Sequence, residues 1–239
     1  MVRIFGNDTR SLRLAEYIRK TEGAKREAHT FILPIPVTRD GVTVRGTDIP
    51  LSRITEEADP GTEIIGYGIP EKTKKALEER GARVLDPSED ERFLLENARL
   101  TAEGMLLRLE EDGAANLSIG IIGMGRIGSA LFEMLNERGY RVLTYTSRTG
   151  EDACLRSYGD LSLREADILI NTAPARIIKD KGWIHGIRLY ELASGENFPE
   201  GTNYERMAAV PLVYYPERAA STLISYYLRK TRHLSGEII

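Results

Sequence analysis

Three glycines spaced as Gly123-x-Gly125-x-x-Gly128 are the residues of this chain best suited to holding a phosphate. Gly123 lets the chain turn sharply. Gly125 lacks the Cβ that would keep a pyrophosphate off the backbone, and Gly128 lets the next helix pack closely on its strand. The helix N-terminus then offers N–H groups and a partial positive charge to the phosphates, so Arg126 and Ile127 join the glycines as candidate cofactor-binding residues. Glycine-rich turns also serve as plain connectors. Here an apolar run, Ser118 to Ile122, leads in and an amphipathic segment, Ser129 to Arg138, leads out. That strand–turn–helix order is the one a dinucleotide site needs.

A second strand, Arg141 to Thr146, follows the stop at Gly139. NAD sites usually end this strand in a carboxylate for the ribose 2′-hydroxyl. This chain has Thr146-Ser147-Arg148-Thr149, with no carboxylate before Glu151. Hydroxyls and a guanidinium suit a 2′-phosphate, which favours NADP(H) over NAD(H); the alternative is an ordinary polar loop. Two later strands end in Asn171-Thr172-Ala173-Pro174 and Ala193-Ser194. Ligands of doubly wound sheets sit beyond the carboxyl ends of strands, so Asn171, Thr172, Ala173, Pro174 and Ser194 are expected at the nicotinamide end. As plain turn formers they would occur at strand ends anyway.

Candidates on the substrate side lie further upstream. The longest helix, Ser88 to Glu111, has an apolar face of Leu94, Leu95, Ala98, Ala102, Met105, Leu106 and Leu109, with Glu103 opposite. Asn97, Thr101, Gly104 and Arg108 gather on one edge, as they would in a helix lining a cleft; a solvated flank would look the same. Gly104 costs about 1 kcal/mol relative to Ala inside a helix, so close approach by something is expected there. Arg10, at a strand-end turn, is the best cation for a dicarboxylate. With Asn97 and Thr101 it makes up the candidate catalytic set. His29, His185 and His233 have structural or solvent roles on this reading, and no metal ligand is assigned.

The elements that must position these residues alternate along the 239 residues. Strands are expected at Val2–Phe5, His29–Ile35, Glu63–Tyr67, Arg83–Leu85, Asp167–Asn171, Arg188–Leu192 and Ala208–Val213, with helices from Asp8 to Glu22, Pro70 to Arg80 and Pro216 to His233. Val37 to Val44 reads as a small hairpin around Asp40-Gly41. The fold class is therefore α/β. A small substrate-side domain (1–87) and a bridging helix (88–112) precede a Rossmann doubly wound parallel sheet domain (113–214). A C-terminal helix (215–239) packs back on the first domain. Net charge is −3 with scattered Lys and Arg, which points to no nucleic-acid partner. No run approaches a membrane span, no signal peptide opens the chain, and the single Cys154 fits a reducing compartment, so a cytoplasmic protein without a membrane partner is expected.

Several segments together resemble the A-type component of dipicolinate synthase, an NADP-linked enzyme of sporulation. Phe5-Gly6-Asn7-Asp8-Thr9-Arg10 is similar to that family's Gly-Gly-Asp-x-Arg opening, and Leu33-Pro34-Ile35-Pro36 to its Leu-Pro-x-Pro. Asn97 to Gly104 resembles its Asn-Ala-x-x-Thr-Ala-Glu-Gly, the most distinctive segment. Gly123 to Gly128, Asn171 to Ala175, Leu192 to Ser194 and, loosely, Tyr215 to Ala220 resemble the others. The resemblance implies an oxidoreductase that converts a dihydro- or hydroxytetrahydropyridine dicarboxylate to dipicolinate. It also implies NADP as cofactor and, as partner, a flavoprotein-like B-type subunit. A homodimer stays open. The chain departs from the family at Gly195 to Gly201, where Pro-Gly-Gly-x-Asp is usual, at Val210 to Val213, at Phe5 and in length. Those departures keep two rivals in view: a non-catalytic dinucleotide-binding partner or regulator, and a reductase of another small substrate.

Overall fold

In chain order the first elements are β1 (Val2–Ile4), α1 (Thr9–Glu22), β2 (Thr30–Ile32), α2 (Leu51–Glu57), β3 (Glu63–Ile65), α3 (Glu71–Glu79), β4 (Arg83–Leu85) and α4 (Glu91–Glu111). Then come β5 (Ser118–Ile122), α5 (Arg126–Glu137), β6 (Arg141–Tyr145), β7 (Leu155–Arg156), β8 (Ile168–Asn171), β9 (Arg188–Glu191), β10 (Glu205–Arg206), α6 (Val210–Tyr214) and α7 (Pro216–Arg232). These come from a computed structural model that describes residues 1–22, 29–147 and 155–232. The chain divides into two compact units, Met1–Glu96 with Tyr215–Ile239, and Asn97–Tyr214, so α4 contributes to both.

In the first unit, β1 to β4 form a parallel sheet in that order. Side chains alternate across it, as the two-residue repeat of a strand requires. Phe31 and Ile64 join Leu51, Ile54 and Leu77 of α2 and α3 in one cluster. Ile32 and Ile65 join Leu14 and Ile18 of α1, Phe93, and Leu223, Tyr226 and Tyr227 of α7 in the other. Helix α7 lies along α1, where the Arg13 guanidinium meets Glu217 at 2.7 Å. Arg229 and Lys230 reach Asp90 at 2.8 and 3.1 Å, which anchors the far end of the helix.

In the second unit six parallel strands run β10-β9-β8-β5-β6-β7. That is the doubly wound order, and it reverses at β5, so the carboxyl end of β5 is the place for a ligand. All five residues of β5 are buried, which explains why the strand reads as an unbroken apolar run. Asp167 accepts hydrogen bonds from the Ser118 N–H at 2.8 Å and the Ser118 hydroxyl at 2.7 Å, which pins β5 against β8. Helix α5 buries Gly128, Leu131 and Leu135. Truncating either leucine to Ala would cost about 2–5 kcal/mol.

Four expectations are corrected. Ala208–Val213 is no strand; α6 occupies most of it, and Pro211, which could not serve a central strand, sits in that helix's first turn. The sheet's last strand is instead the two exposed residues of β10. Val37–Val44 forms no hairpin. Its tip is an Asp40 loop whose carboxylate accepts from Val42 N–H, Thr43 N–H and the hydroxyls of Thr38 and Thr43 at 2.7–2.9 Å. On α4, Leu95 is 51% exposed and Phe93 and Leu100 are buried in the core, while Glu103 is half-buried and within 3.5 Å of Arg99. No described helix is long and apolar enough to cross a membrane.

Candidate functional site

The glycine turn carries the geometry its three positions demand. Gly123 has φ +90°, and a Cβ there would lie 3.0 Å from Ala173 Cβ and 3.1 Å from its backbone N. A Cβ on Gly128 would lie 2.1 Å from the Gly123 carbonyl oxygen and 2.9 Å from Thr172 Oγ1. The close approach that excludes a side chain at Gly128 is therefore to the turn itself. At Gly125, the N-cap of α5, a Cβ would meet nothing within 4 Å among the described residues. The backbone there is bare and exposed, directly ahead of the N–H groups of a 12-residue helix. Those features fit a pyrophosphate, which needs an approachable backbone and a positive helix end. Arg126 is exposed on the first turn and Ile127 half-buried behind it.

Next to β5, the residues at the carboxyl ends of β8 and β9 are mostly committed to one another. Asn171, 3% exposed, donates from Nδ2 to Glu191 Oε1 at 2.9 Å and to the Ala173 carbonyl at 3.1 Å. Its Oδ1 accepts from the Ala173 N–H at 3.2 Å. The Thr172 hydroxyl reaches the Ile122 and Gly123 carbonyls, both at 3.0 Å, and so braces the glycine turn. Ala173 is buried, whereas Pro174 and Ser194 are exposed. Glu191, at the end of β9, is fully buried and also accepts from the Ala193 N–H at 2.9 Å. Burial pushes its carboxyl pKa up, opposed by the hydrogen bonds from Asn171 and Ala193. Sequence reading missed this glutamate because a lone acid inside an apolar strand has no spacing to mark it. Arg206 holds the following segment, donating to the Ala193 carbonyl at 3.2 Å and the Gly195 carbonyl at 2.5 Å.

At the end of β6, Ser147 is exposed, while Arg148 and Thr149 lie outside the described residues, as do Cys154 and His233. On α4 most of the polar edge is absorbed by packing. The Thr101 hydroxyl donates to the Asn97 carbonyl at 2.9 Å and is 6% exposed, so it has only acceptor capacity left. A Cβ on Gly104 would lie 2.3 Å from Val210 Cγ1, so the close partner anticipated at this glycine is helix α6. Arg108 pairs with Glu205 at 3.0 Å and Asp112 at 3.3 Å. Asn97 is half-buried.

In the first unit Arg10 is the second residue of α1 and is 5% exposed, with its pKa lowered to about 10 by burial against the pull of Asp8 and Tyr67. The same unit holds a cleft of about 460 Å³ lined by Arg39 and Arg45 among others. Sequence reading did not single out either arginine, since both fall in or beside the stretch taken for a hairpin.

Comparison with known proteins agrees with this geometry. Residues 92–187 match the NAD binding domain of D-isomer specific 2-hydroxyacid dehydrogenases. No curated protein matches the chain by sequence. Among solved structures, the A-type component of dipicolinate synthase from Bacillus halodurans superposes with a TM-score of 0.75 at 15% identity, covering 96% of this chain and 97% of that one. Its counterpart from Bacillus subtilis does so with 0.74 at 14% identity, covering 99% and 97%. D-lactate dehydrogenase from Escherichia coli gives 0.60 at 11% identity, also covering 99% and 97%. The chain has the fold of these dehydrogenases, and its similarity to the A-type component of dipicolinate synthase, expected from its motifs, extends over nearly the whole of both chains.

Proposed function

We propose that this protein is an NADP(H)-dependent oxidoreductase similar to the A-type component of dipicolinate synthase, oxidising a small dicarboxylate of the dihydro- or hydroxytetrahydropyridine type. The observation that carries the cofactor half is the bare backbone at Gly125 ahead of α5. Gly123, Gly125, Gly128, Arg126 and Ile127 would hold the pyrophosphate, and Ser147, Arg148 and Thr149 the 2′-phosphate. Pro174 and Ser194 would border the nicotinamide, with Asn171, Thr172 and Ala173 shaping the backbone beneath it. When bound, NADP(H) supplies the hydride acceptor or donor. The chain's own task is then to orient and to neutralise charge, which needs no protein nucleophile. Arg10 would pair with a substrate carboxylate, Asn97 would hydrogen-bond the substrate, and Thr101 would accept from it. A flavoprotein-like B-type subunit would be the partner on this reading.

The test is a calorimetric comparison of NADPH and NADH, followed by turnover of dihydro- and hydroxytetrahydrodipicolinate. NADPH should bind more tightly, and Arg148→Ala should narrow the gap by about 1.5–3 kcal/mol, the worth of one charged hydrogen-bond contact. Equal affinities in the parent protein would refute the cofactor choice. A second reading, a dinucleotide-bound regulator, is favoured by one observation: the Asn171 and Thr172 side chains are spent on their own backbone and on Glu191. It predicts NADPH binding with no turnover, even with the flavoprotein partner and the dihydro- and hydroxytetrahydropyridine dicarboxylates supplied.

A further inference from the structure

The carboxyl ends of β8 and β9 enclose an acid that the phosphate cradle does not use. Glu191, the last residue of β9, is fully buried. Its Oε1 accepts from Asn171 Nδ2 and from the Ala193 N–H, both at 2.9 Å, and so ties the end of β8 to the segment after β9. Its Oε2 is buried too and has no hydrogen-bond partner among the described residues. The Asn197 amide, near enough to favour the ionised form, donates to the Ser194 carbonyl at 3.0 Å. Ionised, Glu191 is a buried charge with one oxygen unserved; protonated, it carries a donor with no acceptor. Each state lacks one bond, so a neighbouring charge can decide between them.

The side chains that β8 and the segment after β9 turn toward this carboxyl, Asn171 and Asn197, are neutral. From β10 comes Arg206, paired in register with Glu191, whose charge favours the ionised form while burial favours the protonated one. Arg206 is exposed, so solvent screens its pull. A pyridine dinucleotide brings a further charge to the same end of the sheet. Its oxidised ring is cationic and its reduced ring neutral, while the phosphates are the same in both forms. Glu191 is three residues from Ser194, and its partner Asn171 is three residues from Pro174, the two positions proposed to border the ring. Charges shielded from water are screened little, so the carboxylate can act on the ring without contact.

We infer that Glu191 sets the preference of this chain between the two redox forms of its dinucleotide, its ionised form favouring the oxidised, cationic ring. By reciprocity the oxidised form drives the proton off Glu191 and the reduced form does not. The inference rests on the reading that places the nicotinamide beyond β8 and β9; neither the substrate nor the 2′-phosphate preference enters it.

The experiment is calorimetric titration of the full chain with NADP+ and NADPH, and in parallel with NAD+ and NADH, from about pH 5 to about pH 9, the range open to buried glutamates. Burial raises the pKa of Glu191, so the proton is held in the lower part of that range and lost in the upper part. The ratio of oxidised to reduced affinity should therefore rise, by about ten-fold, as pH climbs. A 2′-phosphate titrates near pH 6 as well, but it is common to both forms and leaves the ratio unchanged. Glu191→Gln should give a ratio that ignores pH. If that variant does not fold, Arg206→Gln should move the rise to higher pH, because it removes a charge that favours ionisation. Within the rise, titrations in buffers of different ionisation heat should show more protons released with the oxidised form than with the reduced one, which a purely structural glutamate would not give. A flat ratio in the parent, or a rise that survives Glu191→Gln, overturns the inference and leaves dinucleotide binding standing. Failure of all four nucleotides to bind removes the dinucleotide reading and the inference with it. The same pH response in the NAD pair, without any preference for NADPH over NADH, keeps the inference and removes only the cofactor choice.

Discussion

Two glycines three residues apart should respond to a side chain in opposite ways. At Gly128 an added Cβ would lie 2.1 Å from the Gly123 carbonyl oxygen, a backbone atom held by the turn and braced by Thr172. Overpacking a well-filled site costs about 1–3 kcal/mol, and a rigid backbone obstacle puts Gly128→Ala at the upper end. For a chain of this size about 3 kcal/mol corresponds to about 6–12 °C of melting temperature, at about 2–4 °C per kcal/mol. At Gly125 the added atom meets nothing within 4 Å, and φ is −81°, so no strain arises. Gly125→Val should cost only the difference between a good and a poor N-cap, about 1 kcal/mol or about 2–4 °C. Its isopropyl group would stand where the pyrophosphate must approach, so NADPH affinity should fall by more than about a hundred-fold, or about 2.7 kcal/mol. Scanning calorimetry and NADPH titration on both variants separate the effects: Gly128→Ala loses stability first, Gly125→Val loses binding alone. If Gly125→Val binds the cofactor like the parent, the phosphate cradle lies elsewhere. If Gly128→Ala melts with the parent, the close approach at that position is not what holds the turn.

Two further substitutions test the packing around the site. Gly104→Ala gains about 1 kcal/mol of helix propensity but drives a Cβ to 2.3 Å from Val210 Cγ1. The net should be a loss of up to about 2 kcal/mol, restored toward the parent by adding Val210→Ala; a double variant no better than the single in a urea titration would refute this. Burial raises the pKa of Glu191, so the folded chain holds its proton at pH values where the unfolded chain has released it. Stability from this group is therefore fullest below the ordinary glutamate range, about pH 4.3, and falls as pH rises toward the raised folded value. Glu191→Gln keeps an acceptor for Asn171 and Ala193 without the charge, so its melting temperature relative to the parent should climb as pH rises through that window. A difference that does not vary with pH would sink the assignment.

The centre of the second unit's parallel sheet was legible because β5 and β8 are buried along their whole length and read as apolar runs. The short edge strand β10 was not, since two exposed residues carry no periodicity. The neighbouring Ala208–Val213 run is apolar for another reason: Val210 is the side chain that presses on Gly104. Gly104 was correctly read as a place of close approach, but a glycine's missing Cβ is the same whether a ligand or a helix fills the space. Helix α2 was missed because only Leu51 and Ile54 of its seven residues are buried, too few to establish a period of 3.6.

The glycine turn of the second unit and the cleft of the first differ in legibility because they are built from different materials. Around β5 the site is made of backbone: a bare Gly125, a turn that admits no Cβ at Gly128, and a helix end that presents N–H groups. Backbone sites constrain residue type at fixed intervals, so they leave a spacing in the sequence. Their side chains are then available for internal work, which is what Asn171, Thr172 and Glu191 do. In the first unit the cleft is made of charge on long side chains, and a guanidinium reaches its target from many backbone positions. Arg10, Arg39 and Arg45 come from a helix start and from the loop after β2 with no interval to announce them. Only the fold, by bringing that loop beside the end of β1, places Arg39 and Arg45 in one cleft.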